Sequence, residues 1–230
     1  MAYWRTDVRV HAGHKDDNHG TSAKKYKILL EILSLGYHVL LSDVDVVTLQ
    51  DPFRYLHRDA DVEGLSDGEA PRQAQGETIV VDDPKMGWSR YAYTTRIWAM
   101  NSGLFYIRAT PAAARFLQQL HARLSREKVW DQAAFNEELL FPAYHGSGVR
   151  HASPGCTVRV MDLEKFMNSK FLFKHYRTGR HKDVRPVMVQ VNCHPDKWDR
   201  MKAVIAYYDG GNKQALRPFP VGSERRSSSS

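Results

Sequence analysis

The sequence predicts an α/β domain with a mainly parallel sheet flanked by helices. Three observations carry that expectation. Short β-prone apolar runs alternate with stretches whose apolar residues recur at the 3.6-residue period. Gly, Asp or Pro punctuates the ends of these runs. The chain has 230 residues, 42% of them hydrophobic, enough for one sizeable core.

Taken in order, Thr21 and Ser22 are cap residues ahead of Tyr26, Leu29, Leu30 and Leu33, and Gly36 stands where a left-handed stop belongs, so a helix is expected over 22–35. Tyr37 to Ser42 reads as a strand covered on both faces and ends in Asp43-Val44-Asp45. Asp51-Pro52-Phe53 turns the chain, and the stretch from Gly64 to Arg90, rich in Gly, Pro, Asp and Gln, reads as mostly loop. Gly103 to Ile107 is a second strand. Thr110-Pro111 then opens a helix with Phe116, Leu117, Leu120 and Leu124 on one face. Asp131 caps a short helix containing Phe135, Leu139 and Leu140, and Pro186 to Val191 is another strand. From Pro195 a last amphipathic helix carries Trp198, Met201, Val204, Ile205 and Tyr208 up to Gly210-Gly211. Residues 1–20 read as a mobile arm, 21–220 as the domain and 221–230 as a solvated tail.

The formal charge of +7 favours an anionic partner. The basic residues are scattered, with neither zinc-finger spacing nor an RNA-binding aromatic signature beside them, so a phosphorylated small molecule is favoured over nucleic acid. Cys156 and Cys193 make at most one disulfide and lie in no metal or redox spacing. No apolar run approaches the roughly 18 residues of a membrane helix. The residues after Met1 lack a signal-peptide core, so a soluble chain without a targeting segment is expected.

The chemistry concentrates at Asp43 and Asp45. In an extended segment, residues i and i+2 point to one side, so two carboxylates converge and repel unless one holds a proton or both share a cation. Oxygen ligands of this kind suit Mg²⁺ or Mn²⁺, and the C-terminal end of a strand is where open α/β sheets bind ligands. Alone, the pair reads first as a solvent-facing turn with one aspartate capping the next element, and it is the apolar strand before it that favours a ligand role.

Several segments in order resemble the nucleotide-diphospho-sugar transferases of glycosyltransferase family 77. They are GYHVLLSDVDVV (36–47), Asp51-Pro52, Asp61-Val62 with Ser66-Asp67, NSGLF (101–105), VWDQAAFN (129–136) and RMKAVIAYYD (200–209). The likeness is greatest to plant and green-algal arabinosyltransferases acting on hydroxyproline-rich cell-wall proteins. It implies a GT-A-like (Rossmann-like) fold, a UDP-sugar donor with arabinofuranose as the expected sugar, a divalent metal, and transfer with retention. It also implies a hydroxyproline-rich glycoprotein or its glycan as acceptor, and the Golgi lumen as the location.

Carried onto this chain, the resemblance makes Asp43 and Asp45 the holders of metal and donor diphosphate. Lys25 becomes a donor-phosphate contact, its local reading being an exposed helix lysine. Asp67, Asn101 and Gly103 fall near the donor sugar, although Asp67-Gly68 also suits a turn and Asn101-Ser102-Gly103 a strand entry. Asp131 and then Gln132 are the candidates facing the anomeric carbon, against an N-cap reading for Asp131.

Departures from the pattern carry their own expectations. Gln190 stands where the family has a histidine, and a neutral amide oxygen is a weaker Mn²⁺ ligand than imidazole. His194 is the substitute ligand, or else a loop histidine before Pro195. Thr48 stands where related sequences often carry tryptophan. The family's first strand and following helix find no counterpart before Lys24, so part of the N-terminal nucleotide-binding unit is expected to be lacking. The residues His11, His14, Asp16, Asp17 and His19 fit no familiar metal spacing. Basic residues from Lys174 to Arg185 read either as a solvated loop or as a lid over the diphosphate. A metal-dependent hydrolase and a silent sugar-nucleotide or glycan binder remain the alternatives.

Overall fold

A computed structural model describes residues 18–68, 79–80, 100–140, 156–180, 183–192 and 194–220. Residues 1–17 of the expected arm, the tail 221–230, Cys193 and most of the expected loop after Ser66 lie outside the described residues. Helix α1, Asn18–Ser34, starts ahead of the expected cap and takes in residues 18–20 of the expected arm. A cap is worth only about 1 kcal/mol, and a nucleated helix gains a bond with each added residue. The helix stops as expected at Gly36, whose φ is 85°.

Strand β1, Val39–Ser42, pairs antiparallel with β5, Met100–Ile107. The larger sheet has the order β1-β5-β3-β6-β4, with β3 Val62–Ser66, β4 Ile79–Val80 and β6 Thr157–Val160. A smaller sheet has the order β2-β8-β7, from Val46–Thr48, Met188–Gln190 and Phe166–Asn168. The α/β class therefore holds, with helices α2 Pro111–Leu124, α3 Asp131–Leu140 and α4 Lys197–Tyr208 and a wide-turn (π) helical segment Phe171–Arg180 beside the sheets.

The expectation of mainly parallel pairing is corrected. Among the described pairings only β3–β6 and β7–β8 are parallel. The reason is that β1, β3 and β6 run in one direction, but β5 enters between β1 and β3 antiparallel to both and β4 pairs antiparallel with β6, so most neighbouring strands oppose each other. β1 is also an edge strand, half-buried and not covered on both faces. Gly64 to Ser66 belong to buried β3 instead of a loop. A side chain at Gly64 would press on Met100, with Sδ 2.8 Å from the added carbon, and the register shifts beside it, so a strand glycine here marks close approach.

Phe135 of α3 sits centrally in the core, its ring centroid 6.4 Å from Tyr26, 5.0 Å from Phe105 and 5.3 Å from Phe116. α2 forms where expected, its Thr110 side chain accepting from the Ala113 amide. The apolar face expected for α4 is only partly realised, since Trp198 and Ile205 are exposed. Arg200 takes the inward position, its guanidinium stacked 4.5 Å from Phe173 and 5.1 Å from Phe219 and donating to Asp196 and the Pro220 carbonyl. No helix among the described residues is long and apolar enough to cross a membrane.

Candidate functional site

The two sheets meet at the turn Asp43-Val44-Asp45. The Asp43 amide donates to the Gly103 carbonyl at 2.7 Å, which ties it to the larger sheet. The Val191 amide donates to the Asp45 carbonyl at 2.8 Å, which ties that residue to the smaller one. The aspartates thus converge through a tight turn and not through the extended segment expected, with Val44 pushed into solvent.

Glycine at 103 makes the convergence possible. A Cβ there would collide with Asp43 Oδ2 and lie 2.7 Å from Gln190 Nε2. The close approach that Gly103 permits is to these two side chains. Asp43 is exposed as a residue, while its carboxyl group packs against Gly103. Burial pushes that carboxyl above its ordinary range; the Lys25 ammonium opposes, the Asp45 and Asp131 carboxylates push the same way, and Lys197 opposes.

Asp45 is buried and accepts from Lys197 Nζ at 2.6 Å and, more weakly, from Gln190 Nε2 at 3.4 Å. Gln190 is 3% exposed, and its Oε1 is buried with no hydrogen-bond partner. His194, the other ligand candidate, packs its ring edge-on to Phe173 at 5.8 Å. Among the described residues no three His, Cys, Asp or Glu side chains gather as a metal site, so His194 does not complete one with the aspartates.

Lys25 projects from α1 into the site. Its Nζ lies 3.2 Å from Asp131 Oδ2 and 3.2 Å from the Ser102 carbonyl, which corrects the reading of an exposed helix lysine. Ser102 Oγ also donates to Asp131 at 3.4 Å. Asp131 opens α3 as its first residue, so its carboxylate faces this cluster while Thr110 is the side-chain cap of α2. Tyr26, expected as a core residue, also belongs here. Burial and then the Asp131 charge hold its phenol well above the ordinary range.

A second, amide-lined group surrounds Asp67. Asn101 Nδ2 and Asn192 Nδ2 donate to its Oδ1 at 3.0 and 2.7 Å, and Gln132 Nε2 donates to its Oδ2 at 2.8 Å. Burial raises the Asp67 carboxyl, while the amides of Asn101 and Gln132, the Lys170 charge and the Asn192 amide oppose. Asn101 Oδ1 accepts from the Gly103 amide at 2.6 Å, and Asn192 is fixed by Ser169. Asn136 clamps α3 to the start of β5, exchanging bonds with the Met100 amide and carbonyl at 3.0 and 2.7 Å. That clamp aims Asp131 at the lysine-carboxylate cluster and Gln132 at the amide cluster. Asn101 and Ser102, which read as strand entry, are buried members of β5 serving these clusters.

The sequence reading missed Lys197, Ser102, Asn192 and Ser169. Lys197 is one more lysine at a helix start, and no spacing rule marks it; Asn192 adjoins the family pattern at Gln190 and was within reach. Of the basic stretch, Arg185 is held by Asp209 and by the Tyr208 and Leu49 carbonyls and so braces α4, while His181 and Lys182 lie outside the described residues.

A profile of the nucleotide-diphospho-sugar transferase family matches residues 4–203. The chain is 49% identical over 213 residues to arabinosyltransferase RRA2 of Arabidopsis thaliana, covering 92% of this chain and 49% of that protein. It is 46% identical over 228 residues to arabinosyltransferase RRA1 of the same plant, covering 97% of this chain and 56% of the other. UDP-D-xylose:L-fucose alpha-1,3-D-xylosyltransferase 3 of A. thaliana is 29% identical over 139 residues, covering 56% of this chain and 34% of that protein. The chain spans about half the length of the two arabinosyltransferases. No solved structure matches.

Proposed function

The chain belongs to the nucleotide-diphospho-sugar transferase family, and on that premise we propose that it is a glycosyltransferase moving L-arabinofuranose from a UDP-sugar donor onto the glycan of a hydroxyproline-rich glycoprotein in the Golgi lumen. The single observation that carries the site assignment is that Asp43 and Gln190 meet at Gly103 and the Gln190 amide reaches on to Asp45. The donor set fits a hard divalent ion. Two carboxylates repel without a counter-charge, a lysine ammonium already stands on one of them, and the Gln190 amide oxygen is buried without a partner. Asp43 and Asp45, with Gln190 once its amide turns its oxygen toward them, would hold Mn²⁺ or Mg²⁺, and the ion would supply charge neutralisation for a departing diphosphate.

The chain's own groups divide the remaining work. Lys25, between Asp131 and the Ser102 carbonyl, places positive charge where the donor phosphates enter. The Asp67 carboxylate and its ring of amides offer donors and acceptors matched to sugar hydroxyls. Asp131, held toward the cluster by Lys25 and Ser102, stabilises positive charge as it develops on the sugar ring. Gln132 fixes Asp67 and lines the same face. Transfer with retention follows if the acceptor enters on the face the diphosphate leaves.

The test is transfer from UDP-arabinofuranose to a hydroxyproline arabinoside, with UDP-xylose as competing donor, with and without EDTA. A metal-dependent arabinosylated product is expected. Donor consumption that ignores the acceptor points to a hydrolase, binding without turnover to a silent relative, and EDTA-resistant transfer refutes the metal assignment.

A further inference from the structure

Lys197 is the first residue of α4 and its ammonium stands 2.6 Å from Asp45 Oδ2. The other oxygen of Asp45 receives the Gln190 amide, so both oxygens of this buried carboxylate are engaged by groups of the smaller sheet and its neighbouring helix. The charge of Lys197 also reaches Asp43. The other charged groups that bear on the pair are Lys25 and Asp131, and those two are engaged with each other. The lysine side chain is 46% exposed and the aspartate side chain 11% exposed, so the pair has a solvent-facing cationic end and a buried anionic one.

A divalent ion that ligates Asp45 needs the same oxygen lone pairs. Two cations on one carboxylate repel, and the ammonium, on a flexible stem open to solvent, is the one able to leave. We propose that Lys197 is a tethered counter-cation that competes with the divalent metal for Asp45, so that Asp45 stays charge-compensated before metal arrives and metal affinity is held down until the ammonium is displaced. The inference rests on the assignment of Asp43 and Asp45 as metal-holding residues. It makes Lys197 a positioning residue, since its action on the donor runs through Asp45.

The experiment is a Mn²⁺ titration of the parent protein, Lys197→Met and Lys197→Arg, read by the loss of free-ion signal in electron paramagnetic resonance and by melting temperature. Lys197→Met removes the competitor and is expected to bind Mn²⁺ at least tenfold tighter than the parent. It is also expected to melt lower without metal, because its buried carboxylate has lost its partner, and to be restored by Mn²⁺. Lys197→Arg keeps the charge and is expected to stay within threefold of the parent. Should Lys197→Met not fold, Lys197→Gln takes its place with the same expectations. Unchanged or weaker Mn²⁺ binding by the neutral variants, or a melting deficit that Mn²⁺ does not restore, overturns the competition while leaving the metal assignment intact. If neither the parent nor the variants bind Mn²⁺ even with UDP, the metal assignment fails and the competition with it.

Discussion

Replacing Gly103 by alanine tests the candidate site through a single added carbon. That carbon would overlap Asp43 Oδ2 and lie 2.8 Å from Asp43 Cγ and 2.7 Å from Gln190 Nε2. Ordinary contact begins near 3.5 Å, so the amide must retreat by about 0.8 Å and the carboxylate by more. Metal–ligand distances tolerate only about 0.2 Å, so the displacement is several times what coordination allows. Mn²⁺ binding in the presence of UDP, measured by calorimetry, is expected to weaken at least tenfold, about 1.4 kcal/mol. The atoms that move are the far ends of flexible side chains, and the Asp43 amide bond to the Gly103 carbonyl is a backbone feature that survives. Melting is therefore expected to stay cooperative and to shift by less than about 1 kcal/mol of stability. Gly64→Ala is the control. It crowds Met100 in the same sheet, and is expected to destabilise the fold with metal binding unchanged once folded. Parent-like Mn²⁺ affinity in Gly103→Ala would refute the argument that Asp43 and Gln190 share the metal.

Three further outcomes follow from the same geometry. Asp131→Asn keeps the shape but loses the charge that faces Lys25; transfer is expected to slow by roughly a hundredfold or more with donor affinity and melting temperature nearly unchanged, and full activity would remove Asp131 from the reacting face. Gln190→His replaces a neutral amide oxygen by imidazole, and Mn²⁺ affinity is expected to rise more than tenfold, about 1.4 kcal/mol, in calorimetry; an unchanged value would place Gln190 outside the metal shell. The Asp43 carboxyl is raised in the fold, so the folded chain holds its proton more tightly than the unfolded chain does, and stability falls as pH rises from the unfolded value toward the folded one. Asp43→Asn removes that loss. In EDTA above this window the variant is expected to melt above the parent, and in Mn²⁺ it is expected to lose the stabilisation the parent gains.

Legibility in the sequence varied with the range of the interactions. α2 declared itself through Thr110-Pro111 and a clean apolar period, and its Phe116, Leu117, Leu120 and Leu124 are all buried. β5 was visible only in its apolar half, because Asn101 and Ser102 are buried for their hydrogen bonds and not for hydrophobicity. β2, β6 and β7 are three or four residues long, too short for a period to register, and each is defined by a partner remote in sequence. α4 misled through Trp198 and Ile205, whose apolar character is spent on solvent while Arg200 is buried between aromatic rings. At the site, residue types and family spacing pointed to Asp43, Asp45, Lys25 and Gln190. The pairings Lys25–Asp131 and Lys197–Asp45 join residues on separate helices and loops, and no local pattern encodes them.

The turn that carries the two aspartates is stitched at one end to the larger sheet and at the other to the smaller, and Asp45 meets a side chain 145 residues further along the chain. The site therefore exists only where both sheets are in place. Neither sheet alone brings Gly103 and Gln190 to the same turn, so a partly folded chain has no weakened version of the site to offer. Loop closures over such separations make this a slow, high-contact-order arrangement. They also link occupancy to completion of the fold, because whatever binds across the turn binds only the finished form and draws the population toward it. A ligand here acts as a reporter of folding quality: chains in which the two sheets have docked are retained in the bound state, and misdocked chains give no binding signal at all.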